Sequence, residues 1–194
     1  MWGIICCMIE TIIQKSIDVK QSILNDIRLH KNILISVDIM CKAFESGNRV
    51  MFCGNGGSAA DAQHLAAELS GRFYKDRKAL PSDALHCNTS YLTAVANDYS
   101  YDMIYSRLVD GTMNSGDVLV GLSTSGDSKN IINAFRVANQ KEIITIGLTG
   151  HSGGKMGVLS NCLINVPSTD TPRIQEAHIM IGHIICELVE SKLF

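Results

Sequence analysis

Two apolar, strand-like runs in this 194-residue chain end in short loops of small polar residues. Val50-Met51-Phe52 leads into Cys53-Gly54-Asn55-Gly56-Gly57-Ser58, and Val118-Leu119-Val120-Gly121-Leu122 leads into Ser123-Thr124-Ser125-Gly126-Asp127-Ser128. Each loop opens a helical pattern, and a helix N-terminus offers unpaired N–H groups and about half a unit of positive charge. Gly and Ser let an anion come close to those groups. Neither loop carries the Lys of a nucleotide P-loop. Two such cradles without that Lys suit a single phosphate monoester, with the rest of the ligand recognised as a sugar. A helix cap needs one Ser, whereas the second loop holds four hydroxyls in six residues.

His64, Glu68 and Arg72 follow the first loop at i, i+4 and i+8, which makes them one stripe on a helix that starts at a ligand-binding turn. Near the C-terminus, Gln175 and His183 stand about two turns and roughly 80° apart on a helix rich in Ile. Both could reach one cavity. A His amid apolar residues is equally a hydrogen-bonded core group, and a Glu–Arg pair at i, i+4 is equally a surface pair. Gly54-Asn55-Gly56-Gly57-Ser58-Ala59 also fits Gly-x-Gly-x-x-Ala, but Asp76, the acidic residue about 20 positions on, sits in the charged run Phe73-Tyr74-Lys75-Asp76-Arg77-Lys78 rather than after a buried strand. Dinucleotide binding is rejected on that ground.

The elements that must position these groups alternate. Strands are expected at 49–53, 118–122, 143–148 and 162–166, with a weaker one at 83–87. Helices are expected at 59–71, 91–110, 128–140 and 172–193, and this alternation calls for an α/β fold with a parallel sheet covered on both faces. Residues 8–46 contain no Pro or Gly and carry Ile and Leu at helical spacing, which predicts one or two long helices ending at Gly47. A helical arm of that length before the first strand is expected to form a subunit interface, the alternative being a helix that covers its own sheet.

The bulk numbers fit one globular domain: apolar residues make up 46% of the chain and the formal net charge is −2. No basic block points to nucleic acid or an anionic membrane. Seven cysteines without any Cys-x-x-Cys suit reduced thiols in a cytoplasmic protein. The apolar run at residues 1–9 has no positive n-region and no cleavage site, and Glu10 ends it. It is too short to span a bilayer and is expected to pack against a partner subunit.

Together these segments resemble the sugar isomerase (SIS) fold and, within it, the phosphoheptose isomerases. The matching stretches are Gly54-Asn55-Gly56-Gly57-Ser58, the run from Asp61 to Arg72, Ala96-Asn97-Asp98, Ser123 to Ser128, Leu148-Thr149-Gly150 and Arg173-Ile174-Gln175-Glu176-Ala177-His178. Gly-Asn-Gly-Gly-Ser alone marks a broad group; its combination with His-x-x-x-Glu-x-x-x-Arg and Arg-Ile-Gln-Glu-x-His is far more specific. The resemblance implies a single SIS domain over residues 1–194, a Rossmann-like three-layer sandwich with residues 8–46 as a helical interface arm. It implies conversion of sedoheptulose 7-phosphate to D-glycero-D-manno-heptose 7-phosphate through an enediol, the first step towards the heptose of bacterial lipopolysaccharide. It implies a homotetramer with active sites between subunits.

Carried over by position, Ser58, Ser123, Ser125 and Ser128 would hold the phosphate with Thr124 beside them. Asn55, Gly56, Gly57, Arg72, Asn97 and Asp98 would meet the sugar, Glu68 and His183 would be the acid–base pair, and His64, Glu68, Gln175 and His183 would bind one Zn2+ per subunit. Gln175 would also touch substrate. Pro172 departs from relatives that carry a polar residue there, and Thr171 would supply that contact instead. One carboxylate and one imidazole meet the needs of an aldose–ketose isomerase, which moves a proton between adjacent carbons and relays protons between two oxygens. The rival expectations are another phosphosugar isomerase of this fold, and a non-catalytic scaffold of the replication-initiator-associating type. Retention of both Glu68 and His183 argues against the scaffold.

Overall fold

The computed structural model describes residues 2–194, without the side chains of residues 2–4 and 6. The expected packing of the apolar run at residues 1–9 lies outside the described residues at 1, and outside the described side chains at 2–4 and 6. Five strands, β1 (Val50–Gly54), β2 (Ser82–Ala84), β3 (Val118–Ser123), β4 (Ile144–Thr149) and β5 (Cys162–Asn165), form one parallel sheet in the order β2-β1-β3-β4-β5. Both faces are covered, so the strands read as apolar runs rather than alternating ones. Side chains still sort by the strand period of two: Phe52, Val118, Val120, Leu122, Ile146 and Leu148 enter one core, while Cys53 and Leu119 enter the other.

The first core is closed by α2 (Ile27–Glu45), α3 (Gly57–Ser70) and α7 (Thr171–Leu193). The second is closed by α4 (Thr89–Asp98), α5 (Ile104–Thr112) and α6 (Lys129–Gln140). In the order 2-1-3-4-5 the direction of winding reverses between β1 and β3, the place where open parallel sheets bind ligands. Both hydroxyl-bearing loops leave the sheet there. Helices α3 and α7 run side by side in the same sense: Gly57 meets Gln175, and Leu65 meets Gly182. A Cβ on Gly182 would stand 2.5 Å from Leu65 Cδ2 and 3.0 Å from its Cγ, so a residue without a side chain lets the helices approach.

The arm is two helices, α1 (Trp2–Leu24) and α2, broken at Asn25-Asp26. No Pro or Gly makes the break. The Asp26 carboxylate accepts the N–H groups of Arg28 at 2.9 Å and Leu29 at 3.0 Å, restarting the helix as its N-cap. The expected helix at 91–110 is likewise interrupted, by a 3₁₀ turn at Tyr101–Met103, and a second 3₁₀ segment, Gly154–Leu159, lies between the strands expected at 143–148 and 162–166. Among the described residues no helix is long and apolar enough to cross a membrane.

Candidate active site

The first loop owes its shape to two glycines. Gly56 adopts φ +55°, and a Cβ on Gly54 would stand 2.5 Å from the Ser58 carbonyl carbon. The first turn of α3 therefore folds close against the end of β1, and Ser58 is buried there. Gly56 N-caps α3 with no side-chain hydrogen bond, and the Gln175 carboxamide stands against Gly57 in its first turn.

In the second loop three hydroxyls converge. Ser123 Oγ lies 3.0 Å from Ser128 Oγ and 3.4 Å from Ser125 Oγ. The backbone N–H of Gly126 donates to Ser123 Oγ at 3.2 Å, and that of Asp127 to Ser125 Oγ at 3.1 Å. Ser128 is the N-cap residue of α6 but makes no side-chain cap bond; its hydroxyl turns inward to Ser123. The Thr124 carbonyl accepts the Gly150 N–H at 3.0 Å and fixes the loop to the end of β4.

About two turns along α3 from the first loop, a titratable cluster forms with α7. His64 Nε2 lies 2.9 Å from His183 Nε2 and 3.3 Å from Glu68 Oε1. The imidazole rings meet edge to face with centroids 5.1 Å apart. Glu68 is 23% exposed and His64 49%, so the cluster sits at the protein surface, open to a ligand or to another chain. The Gln175 carboxamide rests on Gly57, where a Cβ would stand 2.8 Å from Nε2.

A SIS domain match covers residues 17–150. A phosphoheptose isomerase of Clostridium acetobutylicum is 51% identical over 96% of this chain and 95% of its own length. The chain belongs to the phosphoheptose isomerase family. Solved phosphoheptose isomerase structures from Neisseria gonorrhoeae and Francisella tularensis superpose with TM-scores of 0.91 and 0.92 at 38% and 34% identity. Each covers 96% of this chain, and the match spans 99% and 98% of those chains.

Not every residue expected of a phosphoheptose isomerase site reaches the two clusters. The expected stripe is corrected at Arg72: α3 ends at Ser70 with Gly71 as its C-cap, so the stripe stops at Glu68 and Arg72 lies exposed beyond it. The helix ends there because Arg77 folds back and donates to the carbonyls of Glu68, Leu69 and Gly71. Asn97 and Asp98 are exposed at the end of α4 and bond to each other, Nδ2 to Oδ1 at 2.9 Å. Thr171 begins α7, exposed, with Pro172 in its first turn, where a missing N–H costs nothing. Asn55 is held by protein groups on both sides: it exchanges hydrogen bonds with Asn130, and the Tyr101 hydroxyl donates to its Oδ1 at 2.9 Å.

Sequence reasoning missed Asn130 and Tyr101, and passed over Asp61. Asp61 sits one turn before His64 with one carboxylate oxygen buried and unpartnered. Burial raises its pKa, and His64 opposes the shift. The buried His178 is the hydrogen-bonded core histidine of the C-terminal helix, its Nε2 bonded to the Thr149 carbonyl at 3.1 Å.

His64, Glu68 and His183 offer ligand atoms all within 4.8 Å of one another. Two donors on a tetrahedral zinc are about 3.3 Å apart, so the two imidazoles need open by only about half an ångström to seat one. Two nitrogens and a carboxylate oxygen with a side left free suit zinc better than calcium or magnesium.

Proposed function

We propose that the chain is an aldose–ketose isomerase acting on sedoheptulose 7-phosphate, yielding D-glycero-D-manno-heptose 7-phosphate. The observation that carries this reading is the meeting of Glu68 and His183, with His64, on two helices whose N-terminal turns stand beside a cradle of hydroxyls. A phosphate monoester held by Ser58, Ser123, Ser125 and Ser128, with Thr124 beside them, leaves the sugar to extend along α3 towards Glu68. Glu68 removes a proton from one carbon and returns it to its neighbour, and His183 moves protons between the two oxygens of the enediol. Asn55, Gly56, Gly57, Gln175 and Thr171 line the way.

A zinc ion, one per subunit, would be held by His64, Glu68 and His183, with Gln175 as fourth donor. When bound it would polarise substrate oxygens. Arg72, Asn97 and Asp98, exposed in the single chain, would complete a site shared with another subunit of a cytoplasmic homotetramer. The support for assembly is the arm. Ile5, Met8, Ile9, Ile12, Ile13, Ile17 and Leu24 of α1 are all at least 46% exposed, and an apolar groove of about 580 Å3 runs between α1, α2 and α7. On this reading residues 1–194 are one domain with residues 8–46 as its interface arm.

The deciding experiment is incubation of the purified protein with sedoheptulose 7-phosphate, followed by resolution of aldoheptose 7-phosphate from ketose. Absence of the aldose at equilibrium would remove the assignment, and faster turnover of a shorter ketose phosphate would move it to another phosphosugar.

A further inference from the structure

Two buried charged groups stand outside the machinery assigned above. Arg77 Nε and Glu190 Oε1 pair at 2.9 Å, and each side chain is 2% exposed. The Glu190 carboxylate also accepts three successive backbone N–H groups, from Phe73 at 3.1 Å, Tyr74 at 2.7 Å and Lys75 at 2.8 Å. Arg77 spreads its remaining donors over the carbonyls of Leu69 at 2.8 Å, Glu68 at 2.9 Å, Lys78 at 3.1 Å and Gly71 at 3.3 Å. Burial pushes the Glu190 pKa upward, but the three N–H groups and Arg77 outweigh it and hold the carboxyl below its ordinary range.

A buried ion pair is weak evidence for stability, since apolar residues of similar volume often serve as well. Its position here gives a better reason. Arg77 grips the last turn of α3, including the carbonyl of Glu68 itself. Glu190 lies seven residues, about two turns, beyond His183 on α7, so the two share a helix face. The pair rivets the end of the Glu68 helix to the His183 helix. The amide nest also seats Phe73, whose ring centroid lies 5.7 Å from that of His183.

We propose that Arg77 and Glu190 are positioning residues for the isomerisation, fixing the end of α3 and the turn at residues 73–75 against α7 and so setting the separation of Glu68 and His183. The proposal rests on the reading of Glu68 and His183 as the acid–base pair. Glu190→Gln keeps the shape of the side chain and removes its charge. At a temperature where circular dichroism shows this variant folded, kcat falls about 10- to 100-fold. KM for the sugar phosphate stays within about threefold, because the phosphate loops lie at the other end of α3. The imidazole NMR signals of His183 shift in the substrate-free variant as the Phe73 ring moves. Arg77→Lys keeps the charge but not the carbonyl contacts; it gives the same changes in smaller measure and serves if the Gln variant does not fold. Wild-type kcat, or unshifted His183 signals, in a folded variant overturns the proposal. A wild-type protein that turns over no sugar phosphate refutes the functional reading instead, and the imidazole shift alone then decides whether the pair positions His183.

Discussion

Asn55 and Asn130 hold each other through both ends of their carboxamides. Asn55 Nδ2 donates to Asn130 Oδ1 at 2.9 Å, and Asn130 Nδ2 donates to Asn55 Oδ1 at 2.8 Å. One residue sits in the loop after β1 and the other in the first turn of α6, so the pair ties the two hydroxyl-bearing loops together. Asn130→Ala is expected to raise KM for the sugar phosphate about tenfold with a smaller change in kcat. Steady-state kinetics reads this directly; an unchanged KM would leave the pair a fold contact only.

Ser128 separates binding from helix capping. Because its hydroxyl makes no cap bond, Ser128→Ala should shift the melting temperature by no more than about 2 °C, where a lost cap costs about 1 kcal/mol. Substrate binding should weaken by about 1–2 kcal/mol, the scale of one hydrogen bond to a charged group, and Ser125→Ala should behave alike. Calorimetric titration and thermal melts on the same samples check both halves.

Glu68→Gln and His183→Ala are each expected to lower turnover about 10²-fold or more with the far-ultraviolet spectrum unchanged. Near-normal turnover in either variant would take that residue out of the mechanism.

His64 bears on metal alone, having no acid–base part in the scheme. His64→Ala should lose zinc and part of the activity together, while chelation of the wild type lowers activity without unfolding it. Full zinc content in that variant by elemental analysis would show that His64 is not a ligand.

His178 makes stability depend on pH. Complete burial pushes its pKa down to about 4 from an ordinary 6.5, against the opposing bond to the Thr149 carbonyl. The unfolded chain therefore binds the extra proton between those values, and stability falls as pH drops from about 6.5 towards 4, by about 3 kcal/mol in all. Urea denaturation at pH 7 and pH 5 should show the loss, and His178→Gln should flatten it. Equal slopes in the two proteins would place the pH dependence elsewhere.

The sheet and both loops were legible because their signals are local. A run such as Val118-Leu119-Val120 followed by Ser123-Thr124-Ser125 carries its strand, its end and its hydroxyls in consecutive residues. His64 and Glu68 were legible as a pair because helical spacing alone puts them on one face. Arg72 misled for the same reason: the spacing extended one step past a helix whose end is dictated by Arg77, from a charged run that reads as solvated surface. Asn130 and Glu190 carry no local signal. An Asn in a helix's first turn and a Glu in its last are ordinary residues until the fold brings Asn55 or the Phe73–Lys75 amides against them, and no periodicity encodes such contacts.

Gly182 has a wider consequence. The gap between α3 and α7 is set there by a position with no functional group, one residue before His183 and opposite Leu65. The spacing of the two histidines is thus under the control of a spacer rather than of either histidine. Gly182→Ala, whose Cβ would stand 2.5 Å from Leu65 Cδ2, should push α7 away from α3 and widen the distance between His64 and His183 while every reacting group keeps its identity. That makes the helix pair a natural caliper, on which geometry can be varied without touching the chemistry.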